Sequence, residues 1–286
     1  MSPHGIFPLQ VVDLVIGELA DAHEQQIRVF SHRYIGPCKT PRSCALASKK
    51  WADRSRARLF EKVKVEVREG RSTLLPPPSI LPYVKKLEVV CNKQPFAYRP
   101  PYEASTPDLL KAFLAAPVER LRITEGALAN QRVCIQEFID AHSTTLQTVE
   151  FKYCSLSAYN ISDIVLGNRC VKRLHLADCK SEHLSPGHTD TPDPGTCSKA
   201  AALELYISGE DWEEGPLYMA IMVAQLPYRF RKLEIDHFPT EESPEAMTAT
   251  SGLIKANADT LSSLRIHINA GKFDLSSPKI TLLIPI

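Results

Sequence analysis

The chain has 286 residues, of which 44% are hydrophobic and 23% charged, and its 34 Lys plus Arg against 33 Asp plus Glu leave a net charge of +1. Such a chain is globular and long enough to bury a substantial core in one large domain or two smaller ones, and its balance excludes a global field that would recruit nucleic acid or an anionic membrane. The first twenty residues carry no basic start followed by a long apolar core, and apolar stretches such as "MAIMVAQL" (219–226) are too short to span a bilayer.

A cytoplasmic or nuclear setting is therefore expected. The eight cysteines (38, 44, 91, 134, 154, 170, 179 and 197) never fall in a C-x-x-C spacing, and in that setting they read as reduced and mostly buried.

In chain order, "FPLQVVDLVIGELA" (7–20) comes first. Pro8 stands at a helix start, and Leu9, Val12, Val15, Ile16 and Leu19 recur at three and four, which predicts a short amphipathic helix. The stretch 27–43 follows, with Arg28, Arg33, Lys39 and Arg42, no acid, and Gly36, Pro37 and Pro41 as breakers, and reads as a basic insertion in loop form. "CALASKKWADRSRARLFEKVKV" (44–65) predicts a second helical stretch carrying Leu46 and Trp51. A proline-led helix followed by "LASKKW" and "ARLFEKV" resembles the F-box, a small helical module that docks onto the adaptor subunit of SCF-type ubiquitin ligases. The resemblance covers residues 7–63 and implies adaptor contacts from Phe7, Pro8, Leu9, Val12, Ile16, Leu46 and Trp51, with Leu59 and Phe60 as the closing pair. Gln10, Ala47 and the insertion at 27–43 depart from the usual pattern.

"LLPPPSILP" (74–82) reads as an extended connector, since consecutive prolines favour polyproline geometry. Beyond it one frame returns seven times: apolar, two residues, Leu-like, one residue, Leu-like. Its central positions are Leu87, Leu121, Val149, Leu174, Leu205, Leu233 and Leu264, separated by 34, 28, 25, 31, 28 and 31 residues. Between them lie helical stretches such as "DLLKAFLAA" from Asp108, "VCIQEFIDAH" from Val133, "ISDIVLGN" from Ile161, "PLYMAIMVAQL" from Pro216 and "GLIKANA" from Gly252. This is the strand segment of a leucine-rich repeat with helices between. The expected fold is α/β: a leucine-rich-repeat-like solenoid of parallel strands over 83–286, a connector over 64–82, and the F-box-like module over 1–63. The combination looks like the F-box proteins of mushroom-forming fungi.

The repeat frame also decides how "CVKRLHLADC" (170–179) is read. Cys170, His175 and Cys179 within ten residues suggest a metal or thiol site. The frame instead places Cys154 and Cys179 at equivalent turn positions after a strand, as small buried side chains, and turns His175 outward. "RSRAR" (54–58) reads as a solvated helix face. The hydrophilic "KSEHLSPGHTDTPDPGTCS" (180–198), with His183, His188, Asp190, Asp193 and Cys197 among breakers, reads as an irregular loop rather than a metal site. No phosphate loop, nucleophile elbow or zinc-protease motif occurs.

No enzymatic activity, cofactor or metal is expected, and neither nucleic acid nor membrane is an expected partner. The resemblance implies a substrate-recruiting subunit of an SCF-type ligase, its partners the adaptor, a cullin through it, and a protein substrate. Substrate binding is expected from the residues between the paired apolar positions, among them Arg122, Glu150, His175, Tyr206 and Glu234. The alternative is a leucine-rich interaction scaffold without adaptor docking; a thiol- or metal-dependent enzyme has no motif behind it.

Overall fold

A computed structural model describes residues 56–67, 77–91, 110–126, 128, 132–156, 161, 170–181, 203–209, 230–239, 244–269 and 280–285. Residues 56–60 are helical and lead straight into β1 (Lys62–Val67). There follow a 3-10 helix (Pro78–Tyr83), β2 (Lys86–Cys91), β3 (Arg120–Thr124), α1 (Arg132–Ala141), β4 (Thr148–Lys152) and the short β5 (Ser155–Leu156). The rest comprises β6 (Arg173–Ala177), the short β7 (Lys180–Ser181), β8 (Leu203–Ser208), β9 (Phe230–Pro239), α2 (Pro244–Ala256), β10 (Ser263–Asn269) and β11 (Ile280–Pro285). Among the described residues, nine strands form one sheet in the order β1-β2-β3-β4-β6-β8-β9-β10-β11, every pair parallel except β10 with β11. The fold is thus α/β with a mainly parallel sheet of eight strands closed by one antiparallel strand.

The pairing register follows the apolar frame. Val63, Leu87, Leu121, Val149, Leu174, Leu205, Leu233 and Leu264 are successive Cα partners. Strand alternation sends these and the residues two further on to one face, where Leu121, Ile123, Val149, Phe151, Leu174 and Ile207 are fully buried. Leu110, Phe113, Phe138, Ile139 and Leu253, from the stretches between strands, belong to the same core. Burying each such side chain contributes about 1.5–3 kcal/mol, and that shared burial is what selects the register, because a slip by one residue would turn the whole apolar set to water.

The corners at the two ends of the strands recur as well. Before the strands, the carbonyl of Lys85 accepts from the amides of Glu119 and Arg120, that of Glu119 from Gln147 and Thr148, and that of Gln147 from Lys172 and Arg173, all at 2.8–3.1 Å. After the strands, Glu125, Tyr153 and Asp178 have φ of 63, 54 and 49°, and their amides bond to the carbonyls of Lys152, Ala177 and Ser208 at 2.8–2.9 Å. This left-handed turn is costly for ordinary side chains and is held by the neighbouring strand each time.

Several expectations change. The sheet begins at Lys62, across the expected boundary at 63 and inside the segment read as connector: "FEKVKV" carries the same frame at Phe60, Val63 and Val65. The prolines of 74–82 do not all run extended, because residues 78–83 close into a 3-10 helix with Pro78 at its start, where a missing amide costs nothing. Phe238 and Asn269, five residues beyond the central positions Leu233 and Leu264 as Cys154 and Cys179 are beyond Val149 and Leu174, lie within β9 and β10. The helix expected from Gly252 starts earlier, at Pro244. The stretches at 162–168 and 216–226 lie outside the described residues, as do the adaptor-binding candidates Phe7, Pro8, Leu9, Val12, Ile16, Leu46 and Trp51, the insertion at 27–43 and the loop at 182–198. No helix among the described residues is long and apolar enough to cross a membrane.

Candidate functional site

Parallel sheets are usually covered on both faces, since their crossovers place helices there. Here the second face carries mainly charged, aromatic and small polar side chains, which are half-buried or exposed except for Glu150. Register aligns Lys64, Glu88, Arg122, Glu150, His175, Tyr206, Glu234 and Arg265 in one column, and Lys86, Arg120, Thr148, Arg173, Glu204, Lys232 and Ser263 in the column beside it. The five candidates Arg122, Glu150, His175, Tyr206 and Glu234 therefore share one face and occupy five successive strands.

These residues are organised rather than loosely solvated. Glu150 lies on the open face yet is only 8% exposed, because Arg120 and Arg122 close over it: one Nη2 is 2.8 Å from its Oε2 and the other 2.7 Å from its Oε1. Burial by itself would raise its carboxyl, but hydrogen bonds and charge from the two guanidiniums together hold it below the ordinary carboxylate value. Glu150 thus stands on the face that alternation expects, and there it orders its neighbours. A second set repeats the arrangement, with Glu204 between Arg173 (3.0 Å) and Lys232 (2.9 Å). In a third, Glu234 accepts from Arg265 at 3.4 Å and lies 3.2 Å from His267 Nε2.

Between the first and third sets sits an aromatic pair. The rings of His175 and Tyr206 are 5.2 Å apart and tilted by 41°, and Tyr206 donates its hydroxyl to Asp236 Oδ2 at 3.1 Å. Burial, aided by Arg120 and Arg173 and opposed by Glu150 and Glu234, lowers the His175 pKa, which favours a neutral ring at physiological pH. Burial and the Asp236 carboxylate push the Tyr206 phenol up to about 12. The face thus brings together a partly sheltered aromatic pair and ordered charged side chains on either side of it. Asp236 was missed from the sequence because it lies one step beyond the column read there; its signal was the same alternation.

The cysteines answer a different need. Cys154 Sγ donates to the carbonyls of Ile123 and Lys152 at 3.3 Å, and Cys179 Sγ to those of Phe151 and Ala177 at 3.4 Å. Each thiol thus ties its own strand's end to the strand before it, directly after a left-handed residue. Gly126 fills the same place after β3, where a Cβ would come within 2.9 Å of Leu128 Cδ2. Burial pushes the Cys154 thiol up to about 12 and Cys179 well above its ordinary value, so both keep the proton they donate, the opposite of what a nucleophile needs. Cys170 is partly exposed, at the lead-in to β6. Cys154→Ala and Cys179→Ala are each expected to cost roughly 1 kcal/mol in chemical denaturation, with target capture intact; stoichiometric zinc that disappears in either variant would overturn the packing role.

Comparison with the models of known families matches none of them, and comparison with curated proteins finds no significant relative.

Proposed function

We propose that the chain is a substrate-recruiting subunit of an SCF-type ubiquitin ligase, built as a leucine-rich-repeat-like solenoid behind an F-box-like module. The open face of the parallel sheet carries the reading. A sheet whose strands follow one another in chain order, each burying its apolar pair on one side, presents the other side as a continuous surface. Ubiquitin transfer would be chemistry of other subunits, and this chain would supply orientation and effective concentration in the cytoplasm or nucleus. Docking through Phe7, Pro8, Leu9, Val12, Ile16, Leu46 and Trp51 follows from the sequence resemblance alone.

One observation favours the alternative of an interaction scaffold without adaptor docking. Leu59 and Phe60, assigned by the resemblance to the end of the module, lead directly into β1, and Phe60 fits the strand frame equally well. Co-purification with purified adaptor and cullin separates the two. Pro8→Ala combined with Ile16→Ala is expected to weaken adaptor binding by about 2 kcal/mol or more, near thirtyfold, while Arg122→Ala, His175→Ala and Tyr206→Ala together weaken target capture and leave adaptor binding intact. Adaptor binding unchanged by the first variant, in a folded protein, rejects docking through this helix.

A further inference from the structure

The open face has a charge pattern finer than its composition. At one register position the seven strands from β1 to β9 carry Lys62, Lys86, Arg120, Thr148, Arg173, Glu204 and Lys232. From β3 onward the cations fall on alternate strands of the sheet: Arg120, Arg173 and Lys232. Neighbouring strands lie about 4.8 Å apart, so these side chains project from rows about 9.6 Å apart.

Each cation is already positioned. Arg120 shares Glu150 with Arg122, and Arg173 shares Glu204 with Lys232, so a carboxylate between two cations fixes both and leaves each set with a net positive charge. The side chains nonetheless remain open, at 43% for Arg120, 59% for Arg173 and 51% for Lys232. A guanidinium has five N–H donors and an ammonium three, and the contacts to Glu150 and Glu204 engage only part of them. Cations held in place before a ligand arrives lose less freedom on binding it.

We propose that this face takes an acidic, extended segment of a partner protein, lying across the strands with a carboxylate at every third residue. The match is geometric: a polyproline II chain rises about 3.1 Å per residue with three residues per turn, so positions i, i+3 and i+6 face the same side about 9.3 Å apart, close to two strand spacings. An extended β-segment would put i and i+3 on opposite sides. The His175 and Tyr206 rings sit between the Arg120 and Lys232 rows, where they offer aromatic surface to the residues between the acids.

This assignment rests on the reading of the open face as the target-binding surface, and its test keeps the two apart. Fluorescence anisotropy on the full chain compares a labelled (Glu-Pro-Pro) repeat peptide with an isomer of the same composition whose glutamates are clustered at one end. The regular peptide is expected to bind about tenfold more tightly or better, to weaken as salt rises, and to lose about tenfold when Arg120, Arg173 and Lys232 are changed together to Gln. Arg120→Lys with Arg173→Lys, which keeps charge and folding, should retain most of the binding. Equal binding of the two isomers, equal binding of a single-stranded oligonucleotide, or undiminished binding to the Gln variant overturns the proposal. Target capture lost in the Arg122, His175 and Tyr206 variant, with no binding of either peptide, also overturns the ligand class and leaves the face reading standing. Regular-peptide binding that depends on the three cations, with target capture indifferent to both variants, supports the ligand class and rejects the face as the target site.

Discussion

His142→Ala is expected to lower the unfolding free energy by about 3 kcal/mol. The ring is 1% exposed, stacks on Phe138 at 4.1 Å, and places Nδ1 2.7 Å from the carbonyl of Phe138 and Nε2 2.8 Å from that of Ala116. It thereby joins the end of α1 to the chain leading into β3. Carbonyls only accept, so a neutral ring donates to one of the two and an imidazolium to both. Alanine leaves a ring-sized cavity and takes the ring's N–H away from carbonyls that each retain one amide partner, from Val118 and from His142 itself. Asn257 does the equivalent work later in the chain. It too stands four residues before the first apolar position of a frame, donates Nδ2 to Leu253 at 2.8 Å and accepts from the Phe230 amide at 2.7 Å. His142→Asn should therefore recover a substantial part of the loss. Denaturant unfolding of the three proteins decides the matter, and equal stability of the alanine variant and the parent would reject the pinning role.

Glu150→Gln is expected to cost about 2 kcal/mol at neutral pH, because it removes the one negative charge between Arg120 and Arg122 in a site where Glu150 is nearly buried. The effect has a pH signature. The folded-state value of this carboxyl is held below its ordinary 4.5, so the stabilisation is fully present above about pH 5 and is lost as the pH falls through the lowered folded value. The gap between parent and variant should stay constant from neutral pH to about pH 5 and close below it. A gap that instead widened on acidification would show that the carboxyl is raised on folding, against the two-arginine geometry. Arg120→Gln should reproduce part of the loss, since Arg122 remains.

Much of the architecture was legible in residue spacing. The frame at Leu87, Leu121, Val149, Leu174, Leu205, Leu233 and Leu264 became seven parallel neighbours in exact register, because a period-two apolar pattern fixes which residues face the core and neighbouring frames can share that core in only one register. The same logic placed Cys154 and Cys179 after their strands. It does not reach β1, although "FEKVKV" satisfies the frame, because the helical stretch expected over 44–65 runs through it, whereas the helix gives way to the strand at Lys62. β11 carried no period-two signal in its continuous apolar run "ITLLIP", and only pairing with β10 made it a strand.

The sequence by itself determined the alternation, the apolar frame and thus which residues stand on each face, since these depend on local backbone geometry and on the cost of exposing apolar surface. Only the tertiary structure decided what the outward residues do. Arg120 and Glu150 are thirty positions apart, as are Tyr206 and Asp236, and contacts across that distance exist only once the strands are paired. Spacing could say that Glu150 points away from the core, but not that two guanidiniums would close over it. It likewise could not say that His142 would find the carbonyl of Ala116, because a long side chain's partner is set by which strand and corner the fold brings within about 3 Å, a distance that no periodicity encodes.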